Sequence, residues 1–218
     1  MKKLLLVLGF LLLASSISAF AQGNYFVDYY SNNINPLAAD QVIRAINTGE
    51  FGTPLTSIGQ GPGGVPGTGD ICENVYVFDN NQEMVACCAC RLTPDELSSA
   101  AVGAQLTNHA LTGTAPVAGV VKLVFSLPQT FNGPTGCRAE TVIIDGTSIA
   151  DAAAVYGTHL QAEPPASPTS LFVTETEKLP QYLSAAEAAF LPNACSFVRY
   201  LGSGTPGTCS CTAGLGAR

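Results

Sequence analysis

The 218-residue chain has no tryptophan, two methionines and two histidines, and only 11% of its residues are charged. Soluble domains usually carry about 25% charged residues, so neither a charged disordered tail nor a coiled coil fits. Nine basic residues against 16 acidic ones exclude nucleic acid as a partner, because nothing here neutralises a run of phosphates. Histidine chemistry is confined to His109 and His159, which do not lie at metal-pair spacing. A serine hydrolase would need one of them beside an activated serine, and no Gly-x-Ser-x-Gly elbow occurs. His109 reads as a polar loop residue and His159 as a strand-surface residue. No Gly-Lys-Ser/Thr closes the glycine-rich stretch at 49–70, so it is no phosphate cradle. No cofactor is expected.

The N-terminus reads as an export signal. Lys2 and Lys3 precede an apolar run over residues 4–13, and Ala19-Phe20-Ala21 is a small-x-small site that places cleavage after Ala21. The run is too short for a bilayer that needs ~20 apolar residues. Lys122 breaks the longest later stretch, 116–127, so no transmembrane segment remains after cleavage. The expected localisation is secreted, periplasmic or extracellular, with a cell-envelope or extracellular partner. Removing 21 of 218 residues leaves 197, with seven basic and 16 acidic side chains and a net charge of −9. That charge favours solubility and permits cation binding.

All eight cysteines follow the leader: Cys72, Cys87, Cys88, Cys90, Cys137, Cys195, Cys209 and Cys211. An even number in an exported chain reads as four disulfides. Apolar runs at 72–78 and 84–90 flank the turn-like Asp79-Asn80-Asn81-Gln82 and should form a β-hairpin. Alternation then puts Cys88 and Cys90 on one face and Cys87 on the other. A three-residue turn would set Cys72 opposite Cys90, the first pairing expected, while Cys87 and Cys88 go to different partners. One of Cys209 and Cys211 is expected to fold back onto Cys195. The competing reading makes Cys87-Cys88-Ala89-Cys90 and Cys209-Ser210-Cys211 thiolate clusters for copper or zinc, at spacings poor for structural zinc. A Cys-x-x-Cys opening a helix, the mark of a redox oxidoreductase, is absent.

Along the chain, residues 24–30 alternate as a strand weighted with aromatics, and 41–48 fits a short helix or a strand equally well, with strand the preferred reading. Residues 49–70 carry 8 Gly and 3 Pro and form a long loop. Thr93-Pro94-Asp95-Glu96 predicts about one turn of helix. Residues 117–126 read as a buried central strand, 141–144 as a short strand, 148–156 as a capped helix and 157–162 as extended. A Pro/Ser linker at 163–170 leads to a strand at 171–177. Ser184-Ala185-Ala186-Glu187 is a capping box opening a helix whose apolar set is Phe190, Leu191, Ala194, Cys195, Val198 and Leu201. Gly202 stops it. The sum is mainly β: an antiparallel β-sandwich-like domain over residues 22–218 with a C-terminal helix and disulfide staples.

The segment Ile71-Cys72-Glu73-Asn74-Val75-Tyr76-Val77-Phe78-Asp79, running through Cys87-Cys88-Ala89-Cys90 to Thr93-Pro94, resembles a group of exported bacterial Cys-rich proteins. They share a C-x-x-x-YVFD…QEM…CC-x-C…TP core, and Thr174-Glu175-Thr176-Glu177 and the Cys-x-Cys ending are similar too. The resemblance runs from Gln41 onward. It implies a coherent exported domain and brings no activity with it.

Candidate chemistry is sparse. Glu175 and Glu177 share a strand face about 7 Å apart, which could serve glycoside hydrolysis or a cation. Asp79 in its turn could ligate calcium but lacks the ligand spacing of a known loop. The reading that follows is a secreted, disulfide-stabilised, non-catalytic extracellular or cell-surface domain. The alternatives are a secreted hydrolase acting on carbohydrate, with Glu175, Glu177 or Asp151 near His159, and a subunit assembling by exchange of residues 25–30 into a neighbour's sheet.

Overall fold

The computed structural model describes residues 24–31, 40–51, 69–132, 134–162, 171–203 and 206–211. The expected leader at 1–21, most of the expected loop at 49–70 and the expected linker at 163–170 lie outside the described residues. The described strands are β1 (Tyr25–Tyr30), β2 (Val42–Asn47), β3 (Ile71–Asp79), β4 (Met84–Leu92), β5 (Leu97–Ala101), β6 (Gly119–Ser126), β7 (Gln129–Thr130), β8 (Thr135–Gly136), β9 (Ala153–Ala162) and β10 (Leu171–Lys178). A single π turn, Val102–Leu106, follows β5, and helix α1 (Ala185–Leu201) follows β10.

Two four-stranded antiparallel sheets result, ordered β1-β6-β3-β4 and β10-β9-β2-β5, beside a β7-β8 ribbon. One core lies between the sheets, with Phe26, Val75, Leu123 and Phe125 from the first sheet facing Ile43 and Val155 from the second. A second core lies on the outer face of the first sheet, where Tyr76, Phe78 and Val124 meet Leu191, Cys195 and Val198 of α1. The first sheet is thus a middle layer, covered on both sides. This explains why β3 is buried at every position from Ile71 to Phe78, as a strand without a solvent face must be. The central strand expected at 117–126 is β6, annealed between β1 and β3. β1 pairs with β6 of its own chain at six successive positions from Tyr25↔Val124 to Tyr30↔Gly119.

Helix α1 starts where the capping box places it. Ser184 lies in extended conformation and its Oγ accepts from the Glu187 amide at 3.1 Å, and the Gly202 amide closes the last turn on Val198 O. The buried stripe is narrower than the apolar pattern suggests: Leu191, Cys195 and Val198 are buried, whereas Phe190 and Leu201 are about half exposed.

Three expectations for local structure are corrected. Thr93-Pro94-Asp95-Glu96 forms half of the box: the Thr93 amide donates to Glu96 Oε2 (2.7 Å), but Thr93 Oγ1 donates to the same oxygen (2.8 Å) and the Glu96 amide goes to Thr93 O. It closes a tight turn into β5, because Asp95 takes φ +63° and a left-handed residue stops a helix. Residues 148–156 are not helical. The amide of Ser148 is taken by Asp145 Oδ1 at 3.0 Å, and the chain then pairs with β2 as β9, with Ala45 opposite Val155. Residues 141–144 form no ladder strand, since the Gln129 side chain grips the backbone of Ile143, its Nε2 donating to the carbonyl (2.7 Å) and its Oε1 accepting from the amide (2.9 Å).

Candidate functional site

The four disulfides are Cys72–Cys137, Cys87–Cys195, Cys88–Cys209 and Cys90–Cys211. Cys87 faces α1, whereas Cys88 and Cys90 face the inter-sheet core, as strand alternation requires. The vicinal pair therefore takes different partners. Two pairings differ from expectation. The hairpin turn has the expected length, with the Asp79 amide donating to Glu83 O and Phe78 opposite Met84. A β-bulge between Val77 and Phe78 then shifts the register, so Cys90 faces Glu73 and Cys72 faces Arg91. One extra residue turns every later side chain to the other face. Cys72 leaves the inter-sheet side and meets Cys137.

The other correction concerns the tail. It runs beside β4 with a parallel bridge between Cys87 and Thr208, the Cys87 amide donating to Gly207 O at 3.1 Å. In that register Cys209 and Cys211, two apart, meet Cys88 and Cys90, also two apart, and Cys195 is left to Cys87. The sulfurs of Cys88, Cys90 and Cys211 lie within 4.8 Å of one another, a spacing a metal cluster could use. Each is spent in a disulfide and carries no thiolate charge.

Glu73 belongs to this cluster. It is 3% exposed, and burial pushes its carboxyl up to about 7, with a hydrogen bond involving Ser98 acting in the opposite sense. A cavity of about 10 Å³ adjoins Glu73, Cys88, Cys90, Ser98 and Cys211, room for about one water.

The other residues singled out from sequence do not converge. Glu175 is exposed and ion-paired to Arg44 of β2, and Glu177 and Asp151 are exposed. The Asp79 carboxylate is used within its own turn, Oδ1 accepting from the amides of Asn81 (2.8 Å) and Glu83 (2.9 Å). His109 is exposed, its carbonyl accepting from the Gly207 amide.

His159 is the exception to its expected surface position: it is 9% exposed. Its Nε2 lies 3.1 Å from Asp28 Oδ1 and 2.7 Å from Lys178 Nζ, and its Nδ1 lies 3.2 Å from Gln41 Nε2. Tyr29 stacks on the ring at 4.5 Å, and Lys178 Nζ is 2.8 Å from Asp28 Oδ1. Asp28 projects from β1 between the sheets, so this cluster clamps the edge of one sheet to β9 and β10 of the other. Both ring nitrogens of His159 are occupied, and Glu175, Glu177 and Asp151 are not among its hydrogen-bond or ion-pair partners.

A groove of about 440 Å³ lies between the N-terminal half of α1 and the 140–149 segment. Ala185, Ala188 and Ala189 leave space on the helix side, and Val142, Ile143, Ile144 and Ile149 supply the opposite wall. The Gln129 grip on Ile143 holds that wall in place. Asn24 also lines the groove: its carbonyl accepts from the Phe125 amide at 2.8 Å, and its side-chain Nδ2, in a residue 1% exposed, has no hydrogen-bond partner among the described residues. Two carboxylates also line it. Glu140 pairs with Arg199 at 2.7 Å, and hydrogen bonds from the Thr147 side chain and amide hold Asp145 below the usual carboxylate range. A volume in the 300–1,000 Å³ range, apolar walls and a few fixed polar groups are the attributes of a small-molecule site.

Compared with protein-family models, curated proteins and solved structures, the chain matches none. Sequence reading missed Asn24, Asp28, Glu73 and Lys178. For Asp28 and Glu73 a signal existed, an acidic residue at an inward position of an otherwise apolar or aromatic strand. Nothing in the sequence marks Asn24.

Proposed function

We propose that the protein is an exported, disulfide-stabilised, non-catalytic binding domain whose ligand enters the groove between α1 and residues 140–149. The observation that carries this reading is the groove itself, walled by Val142, Ile143, Ile144 and Ile149 against Ala185, Ala188 and Ala189, with Asn24, Glu140, Asp145 and Asn193 as polar groups on its lining. The ligand class that fits is a largely apolar, uncharged small molecule, because the Glu140 and Asp145 carboxylates on the lining disfavour an anion. The signal-like N-terminus, four disulfides that persist in an oxidising compartment and the likeness to exported bacterial Cys-rich proteins support export. Among the described residues no helix is long and apolar enough to cross a membrane.

Titration with the neutral dye Nile red tests the site. Saturable fluorescence enhancement is expected with the native chain and is lost in Ala189→Trp, which fills the groove from the helix side, while the unfolding midpoint stays close to wild type. Absence of saturable binding, or equal binding by the filled variant, would remove the groove as the site.

A further inference from the structure

The geometry points to Cys90–Cys211 as an exchangeable disulfide, opened by a low-molecular-weight thiol with Glu73 donating the proton to the departing Cys90 sulfur. Two bridges have one partly exposed end: Cys137 in Cys72–Cys137 and Cys211 in Cys90–Cys211. The partners inside, Cys72 and Cys90, are 1% and 4% exposed. Access alone does not separate them; their surroundings do. Cys90 sits directly across the β3–β4 ladder from Glu73, and both line the same small cavity with Cys211.

A buried sulfur is a poor leaving group as a thiolate, because desolvation penalises its charge. A neutral carboxylic acid beside it removes that penalty by protonating it as it leaves. Glu73 is suited to hold such a proton. The groups packed round it, Ile43 from β2, Leu123 from β6, Ser98 and Ala100 from β5 and Ser210 from the tail, bring no charge, and the adjacent sulfurs are disulfide-bonded. Burial keeps the carboxyl protonated up to about pH 7.

The step balances. A thiolate attacks the Cys211 sulfur, the Cys90–Cys211 bond breaks, and a mixed disulfide forms on Cys211. The bonding pair leaves on Cys90, which takes the Glu73 proton, and the carboxylate is reprotonated from water. A second thiolate attacks the mixed disulfide at the small-molecule sulfur and releases Cys211, which is protonated from water. Two small thiols are oxidised to one disulfide while one protein disulfide becomes two thiols.

Exposure of the full exported chain to reduced glutathione, with timed alkylation and peptide mass mapping between pH 5.5 and 8.5, tests the assignment. Cys90 and Cys211 should be labelled about tenfold faster than Cys72 and Cys137. Against Glu73→Gln, which cannot donate an acidic proton, the wild-type rate should be about tenfold higher at pH 6. Taken relative to Cys72–Cys137 opening in the same protein, so that glutathione ionisation and any change in global stability cancel, that ratio should fall as pH rises through about 7. Opening of Cys72–Cys137 first or simultaneously would overturn the proposal. So would a ratio that does not change with pH, whatever the order of opening.

Discussion

Replacing Glu73 by glutamine should make the protein more stable, and only above a defined pH. The buried carboxyl has its pKa raised from 4.5 to about 7, so between those values the folded chain binds a proton that the unfolded chain has released. Stability then falls with rising pH, because the slope follows the difference in bound protons between the unfolded and native states. The loss begins near pH 4.5, proceeds at up to about 1.4 kcal/mol per pH unit and levels off above the folded value of about 7. Integrated over the window, ionised Glu73 costs the native state about 3 kcal/mol at pH 8. Glutamine has the same shape and never ionises. Guanidinium unfolding of both proteins, disulfides intact, should therefore give nearly equal stabilities at pH 4.5 and a glutamine variant about 3 kcal/mol more stable at pH 8.5. Working from the difference cancels every other titrating group. A gap independent of pH, or a variant less stable at pH 8.5, would show that the carboxyl is not buried and uncharged in the native core.

Gly157→Ala should be strongly destabilising, since an added Cβ would lie 2.0 Å from Asp28 Oδ2 and 2.7 Å from Lys178 Cε. Overpacking of this kind costs about 1–3 kcal/mol, read as a lower denaturant midpoint at unchanged slope. Ser184→Ala removes the acceptor for the Glu187 amide and should cost about 1 kcal/mol. With Cys87–Cys195 intact the helix remains anchored, so far-ultraviolet circular dichroism at 25 °C should stay close to wild type.

The architecture was legible in the sequence wherever local pattern and burial agree. The aromatic alternation at 25–30, the apolar run in β6 and the capping box of α1 each specify their element. The failures share a cause: local signals satisfied by a different long-range arrangement. The Glu96 carboxylate takes the Thr93 amide as at a helix start, but Asp95 turns the chain into β5 instead. Ser148 had the makings of a cap, but Asp145 takes its amide. The Cys72 pairing failed on one bulge, because the turn had the expected length and the extra residue within the strands carries no sequence mark. The groove was invisible for a different reason. Its two walls, α1 and the 140–149 segment, are about forty residues apart, and the polar group at its base, Asn24, lies still further upstream.

The bridges of β4 have a temporal consequence. Cys87, Cys88 and Cys90 join cysteines 108, 121 and 121 positions later. On the export proposed above, a chain that emerges N-terminus first presents three neighbouring thiols before their mates arrive. Until residue 211 arrives, any oxidation of that trio is an error to be undone. Correct pairing of β4 must therefore wait for the tail, and a chain cut short before residue 195 lacks all three mates.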